Sequence, residues 1–452
     1  MDLFHKKNIE FYAFLEETFQ LKKCKRWEDV SQQITIAKIS KTYKVFSKLF
    51  PLHENYLEAF VPSSSFQTLH YGTLKANKVI NDVVRYSLYT DEILVFHPLQ
   101  NPNITNQAMS PIKNPKAWVD DFMSSLHFYI VLKKWVEAGI VKLIINPVNY
   151  NFKLRDEFVK KAKERIDKSE KDEPTINDGL SDFAEDFTEN LSLSLGDKPI
   201  EYIVKSLMAM KNPVFTQKEA EGMAKEIKEI YPKRNPLYAK LNIPQSSGYT
   251  SYKVGANLEA INYITELTNA PIYTSNPTMW KMIKAASVND FWTKVNHSYS
   301  KIDFTFLNNV DTAFVLELRK EGRLTALRQG LKNHFKELNS LNISDVSDKK
   351  LQEINEGFID SIRTSEAEWN LIKTEAENKR RYWAAASLVA LPLIQFPVSI
   401  FSLLGSALWL GSSVRDEKVK LNTFNQTNPL SVYVELNHKD EGFFSDLKNC
   451  IF

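Results

Sequence analysis

Along the first ninety residues the apolar side chains recur at three- and four-residue spacing. Ile9, Phe11, Tyr12, Phe14, Leu15, Phe19 and Leu21 set this pattern, and the stretch from Ile34 to Leu49 repeats it. That period predicts helices for most of residues 1–90. The pattern then changes. Ile93-Leu-Val-Phe96 is a short β-branched run closed by His97-Pro98, which predicts a buried strand. An Asn- and Pro-rich loop leads through Pro115 into a helix carrying Trp118, Phe122, Leu126, Tyr129 and Ile130 on one side, with Gly139 as its stop. Ile140 to Ile145 forms a second apolar run, closed by Asn146-Pro147. Strand, helix and strand at this spacing make a right-handed parallel βαβ unit.

Further along, residues 153–173 are dominated by charge and predict an exposed helix ending near Pro174. Helical patterns follow at about 178–193, 198–210, 216–230 and 254–268, with a boundary in the Pro-, Ser- and Gly-bearing stretch from Pro232 to Tyr249. Pro271-Ile-Tyr273 predicts a third strand and Ile302 to Leu307 a fourth. From Asp311 to about residue 380 the chain reads as a helical hairpin. Its second arm buries Leu351, Ile354, Phe358, Ile362, Trp369 and Ile372, and Ser344 serves as N-cap ahead of Asp345 and Asp348. Tyr382 to Val414 carries no charged side chain, and Leu430 to Leu436 predicts a terminal strand.

The fold class that results is α/β plus all-α: a small parallel sheet with a βαβ unit, a large helical remainder and a C-terminal apolar helical hairpin. Four regions follow. Residues 1–150 hold the N-terminal helices and the βαβ unit, and 151–240 form a charged helical insertion. Residues 241–310 complete the sheet, and 311–452 hold the hairpin, the apolar segment 382–414 and the terminal strand.

Composition narrows the function. The 452 residues are 43% hydrophobic and 25% charged, as in a folded globular protein, and the formal net charge is only +3. No domain-wide basic field is present, which disfavours a nucleic-acid partner. The low glycine count, 13, beside abundant Lys, Asn and Ile matches an AT-rich coding sequence of the bacterial kind. Cys24 and Cys450, near opposite termini, cannot build a disulfide framework, and the N-terminus lacks a signal-peptide apolar region. The expected location is the cytoplasm, with membrane association only through 382–414.

The familiar catalytic signatures are missing. No pair of glycines has the spacing of a phosphate-binding loop, no Gly-x-Ser-x-Gly or His-Glu-x-x-His occurs, and the eight histidines are scattered singly. The expectation is no cofactor and no metal. The positive signal is a coincidence of strand endings: Phe96-His97-Pro98, Ile145-Asn146-Pro147 and Thr274-Ser275-Asn276-Pro277. In a parallel sheet these endings meet at the carboxyl edge, where ligands of open α/β sheets bind. His97, Asn101, Asn146, Asn149, Thr274 and Asn276 would then form a polar rim suited to a neutral or nucleotide-like ligand. The plainer alternative is that Asn and Pro end strands because they make good turns.

The strand order leading to Ala270-Pro-Ile-Tyr-Thr274 is similar to PIN-like nucleases over about a third of the chain, which implies carboxylates holding Mg²⁺ at the strand ends. This chain departs from that pattern, with His97, Asn146 and Asn276 in those places. Asp91-Glu92 precedes its strand, Asp120-Asp121 sits in a first helical turn, and Asp82 with Arg85, one turn apart, reads as a surface pair.

The uncharged run is long enough to cross a bilayer, for which about 20 apolar residues suffice. Lys379, Arg380 and Arg381 precede it, with Trp383 and Trp409 near its two ends. Pro392 and Pro397 divide it into two candidate buried helices, about 383–391 and 399–413, that would pack Leu388 and Leu403 as a core hairpin. The leading expectation is a non-catalytic sensing or regulatory protein, of the toxin or defence-effector type, acting by assembly or membrane insertion. Its partner would be a protein or further copies of the chain. The alternatives are a divergent metal-dependent nuclease or other hydrolase, and a structural subunit of a larger complex.

Overall fold

The computed structural model describes most of residues 3–438. Outside the description lie 100–109, 165–194, 210–215, 231–250, 391–417 and 439–452, together with 53–55, 73, 148–149 and parts of 152–163, 196–197, 276–289 and 305–309. The chain divides into two compact units, Met1–His297 and Ser298–Phe444.

The first unit is built on a parallel sheet of four strands: β1 (Gln67–His70), β2 (Glu92–Phe96), β3 (Val141–Ile144) and β4 (Ile272–Tyr273), in the order β3-β2-β1-β4. The βαβ unit read from periodicity is β2, α5 (Val119–Glu137) and β3. Its helix ends as Gly139 predicts. Gly139 takes φ +68, its N–H reaches the Val136 carbonyl, and the Ile140 N–H reaches the Trp135 carbonyl, which closes a Schellman motif.

A second βαβ unit precedes it and begins in the stretch that the sequence predicts to be mainly helical. β1 is four residues long, polar in three of them and buried throughout, so it carries neither alternation nor an apolar run. α4 (Ala76–Ser87) follows, with Ala76, Val79, Val83 and Tyr86 buried at helical spacing.

Among the described residues three α-helices precede β1: α1 (Leu3–Thr18), α2 (Trp27–Ser31) and α3 (Ile36–Leu49). Both sheet edges are closed by side-chain amides. On β3, Asn8 of α1 donates Nδ2 to the Leu143 carbonyl at 2.9 Å. On β4, the Ile272 N–H donates to Thr293 Oγ1 at 3.1 Å and Asn296 Nδ2 donates to the Ile272 carbonyl at 2.9 Å. An uncovered edge would offer those groups to another strand. Two other helices, Ile200–Met208 and Gln217–Ile230, pair through Ile203, Leu207, Ala220, Ala224 and Ile227, as the apolar spacing predicts. The Ser251–Thr268 helix then leads into β4.

The second unit is helical among its described residues. The expected first arm is two helices, Thr312–Lys320 and Arg323–His334, parted at Gly322 with φ +73. The second arm is the long helix Asp348–Ala390, and it buries Leu351, Ile354, Phe358, Ile362 and Trp369 as the stripe predicts. Its cap is Ser347, whose Oγ accepts from the Lys350 N–H at 3.2 Å. Ser344 lies instead in the 3-10 turn Ile343–Asp345.

Two expected strands are corrected. Residues 302–304 and 307 are not in a strand; Ile302 and Phe304 are buried, with the Phe304 ring stacked on Tyr433. The terminal strand is a helix, Ser431–Asn437, that buries Val432, Tyr433, Val434 and Leu436. Its β-branched composition is overridden by packing, which surrounds the helix: Tyr433 meets Phe304 and Phe358, and Val434 meets Trp369 and Phe424. Residues 382–390, including Trp383 and Leu388, continue the long helix rather than beginning a separate one. Pro392, Pro397, Leu403 and Trp409 lie outside the described residues, as does most of the apolar segment. Among the described residues no helix is long and apolar enough to cross a membrane.

Candidate functional site

With β3 and β4 on opposite edges, the chain reverses its direction of travel across the sheet between β1 and β4. In open parallel sheets such a switch point leaves a crevice outside the carboxyl ends of the two strands. The residues there are His70, ending β1, and Tyr273-Thr274-Ser275, ending β4.

His70 and Tyr273 are register partners, so both project to the same face of the sheet. Their rings meet edge to face, with centroids 5.1 Å apart. Asp82 reaches this pair from the middle of α4 and is buried, 4% exposed. Its Oδ2 lies 3.3 Å from His70 Nε2 and accepts from Ser275 Oγ at 3.0 Å. The carboxylate therefore ties β1 and β4 together at their ends. The Asp82–Arg85 surface pair expected from the sequence gives way to this arrangement.

Gly72 closes the turn after β1. A Cβ there would stand 2.9 Å from His70 Nε2, so the backbone approaches the imidazole as closely as glycine allows. Tyr86 of α4 stacks on Tyr273 with centroids 3.7 Å apart, and its hydroxyl donates to the Asn296 carbonyl. Burial, with the Asp82 carboxylate nearby, pushes the Tyr273 hydroxyl well above its ordinary pKa, so it remains a donor. Three buried polar atoms of this seam have no hydrogen-bond partner: His70 Nδ1, Tyr273 Oη and Thr68 Oγ1. Unsatisfied buried groups are rare, and a cluster of them marks a place where water or a ligand completes the set.

The rim expected from the strand endings divides. Thr274 is buried directly after β4, and Asn146 follows β3 half-buried. Asn101, Asn149 and Asn276 lie outside the described residues. His97 belongs to the core. Its ring sits among Phe46, Phe50 and Tyr129, with Nδ1 2.9 Å from the Tyr129 hydroxyl, and burial pulls its pKa down to about 3. From sequence His70 passes unnoticed, Asp82 reads as half of a surface pair and Ser275 is named only within the β4 ending, because β1 carries no strand signal. Without that strand, nothing in the sequence places Asp82 opposite a strand end.

At the opposite edge of the sheet Asp91 accepts from the Phe66 N–H at 2.8 Å, and Glu92 pairs with Lys142 at 2.9 Å. These acids hold strands in register. Among the described residues no three His, Cys, Asp or Glu side chains are grouped closely enough to hold a metal ion. Comparison with protein-family models, with curated proteins and with solved structures finds no match.

Proposed function

We propose that this is a non-catalytic sensing or regulatory protein: the α/β part recognises a ligand or partner, and the C-terminal part responds through its uncharged segment, by assembly or by insertion into a membrane. The observation that carries this reading is the pairing of the two arms that flank the segment. Lys420, on the helix at 418–427, reaches Glu375 of the long helix at 2.7 Å, and Trp369, Phe424 and Val434 share one apolar cluster. The chain therefore leaves this stem and returns to it at one level, and the uncharged run from Tyr382 to Val414 lies in sequence between the paired residues Glu375 and Lys420, its first nine residues continuing the long helix.

An apolar stretch of that length must be hidden from water by something. Leu371 and Val419, on the two arms of the stem, are themselves 70% and 56% exposed. Lys379, Arg380 and Arg381, just before the run, suit an anionic lipid surface. Toxins and defence effectors of bacteria combine soluble sensing with an apolar segment, and that likeness is one of architecture.

Flotation of the full chain with phosphatidylglycerol vesicles, alongside sedimentation to follow self-assembly, tests the reading. The expected result is vesicle association or concentration-dependent assembly that Leu403→Asp abolishes while the variant stays soluble. An insoluble Leu403→Asp protein would show the segment to be ordinary core, and a variant indistinguishable from the parent in both assays would overturn the proposal.

A further inference from the structure

We propose that the seam between β1 and β4 binds the ribose diol of a nucleoside or nucleotide, with Asp82 as the acceptor of its hydroxyl protons and Ser275 at the entrance. This rests on the reading of the seam as the ligand-recognising part of the protein, and it names the ligand's chemistry.

The chemistry follows from which polar atoms are already engaged. Among the described residues both hydrogen-bond contacts of Asp82 use Oδ2, so Oδ1 is the oxygen offered to a ligand. A carboxylate beside His70 Nε2 favours the tautomer with the proton on Nε2, and the unpartnered Nδ1 is then a lone-pair acceptor. Beside these acceptors stand the unpartnered hydroxyls of Tyr273 and Thr68, so the ligand must bring donors for Asp82 and His70 and can itself accept from the two hydroxyls. Vicinal hydroxyls do so without charge, and one carboxylate can take both.

A cationic amine is less well served. The Tyr273 ring face that could receive it is covered by Tyr86 at 3.7 Å. A phosphate cannot sit against Asp82, because like charges repel. The phosphates of a nucleotide would lie outward, toward the turn at Gly72 and the opening of α4, where Lys78 is exposed. Ser275 is exposed while Asp82, His70 and Tyr273 are buried, so the entrance lies on the β4 side. The switch point of a parallel sheet is also where ligands of this class settle.

The test is calorimetric titration of the full chain with adenosine, guanosine, cytidine and uridine, their 5′-monophosphates, and the 2′,3′-dideoxy counterparts of each. At least one ribose ligand is expected to bind, its dideoxy counterpart about tenfold more weakly or not at all, and Asp82→Asn is expected to lose a similar factor. Nucleoside and monophosphate arms tell which source supplies the diol. Should Asp82→Asn fail to fold, Ser275→Ala leaves the carboxylate in place, removes one donor to its Oδ2 from an exposed position, and is expected to weaken binding several-fold. Absence of binding by every ribose ligand, equal binding of a dideoxy counterpart, or unchanged affinity in Ser275→Ala would overturn the assignment. Vesicle flotation without ligand reports on the C-terminal reading separately, so each can fail alone.

Discussion

Asn296 closes the β4 edge by donating its side-chain amide to the Ile272 carbonyl at 2.9 Å, and its own Oδ1 accepts from the Tyr89 hydroxyl at 2.6 Å. One buried amide thus joins the edge strand to the segment between α4 and β2. β4 is only two residues long, so its position depends on such contacts more than on its ladder. Asn296→Ala would remove both hydrogen bonds, the one given to the Ile272 carbonyl and the one accepted from the Tyr89 hydroxyl. Losing a buried partner costs about 1–3 kcal/mol, and the expected loss is about 3 kcal/mol in urea unfolding. A loss below about 0.5 kcal/mol would mean that water replaces the amide.

His97 makes the first unit sensitive to acid. Burial lowers its folded pKa to about 3, against about 6.5 in the unfolded chain. The stability held by the neutral ring is complete above the unfolded value and is lost as pH falls toward the folded one. Between pH 7 and pH 5 the loss from this residue is about 2 kcal/mol. His97→Gln keeps a polar group opposite the Tyr129 hydroxyl and removes the titration. Its melting temperature is expected to fall less than the parent's over that interval, and parallel curves would show that His97 does not titrate on unfolding.

What the sequence made legible was whatever repeats. α5 and its glycine stop, the β2 and β3 runs, and the stripe from Leu351 to Trp369 all carry periods that packing then respected. The unread part was short or locally contradictory. Gln67 to His70 is a central strand with a single aliphatic residue, and Val432 to Leu436 has strand composition in a helix. The site suffered most, because its members come from residues 70, 82 and 275, and only strand order brings them together. The strand endings pointed to the carboxyl edge of the sheet. His97, by contrast, is aromatic core, since its neighbours Phe46, Phe50 and Tyr129 come from the Ile36–Leu49 helix, the residue that ends it, and α5, all distant in sequence.

The stem of the second unit depends on Trp369 and Phe424. Trp369 is packed from several sides: it shares a cluster with Phe424 and Val434, stacks on His438 at 4.2 Å, and carries the Lys373 ammonium 3.8 Å over its ring. Phe424→Ala is expected to cost about 3–4 kcal/mol through lost burial and the cavity left behind. Limited proteolysis should then cut the 418–427 helix much faster than in the parent. Lys420→Ala removes only the exposed pair with Glu375 and should change stability by less than about 1 kcal/mol. If the two variants lost the same amount, the stem would be held by charge rather than by packing.

Gly72 offers the sharpest test of the His70–Asp82 contact. Added to Gly72, a methyl group would meet His70 Nε2 at 2.9 Å and Cε1 at 3.2 Å. An exposed ring would turn aside at little cost, but this one is buried and faces Asp82 through the same nitrogen. Gly72→Ala must therefore push the imidazole off the carboxylate or move the turn, and overpacking of this kind costs about 1–3 kcal/mol. The double variant separates the causes. With His70→Ala in place the methyl group has nothing to strike, and the same substitution should be neutral or slightly stabilising, since alanine restricts the unfolded chain more than glycine does. The expected coupling between the two positions is thus at least about 1 kcal/mol. Additive losses would place the strain in the backbone of the turn, and the glycine would then serve the turn's conformation rather than the approach to His70.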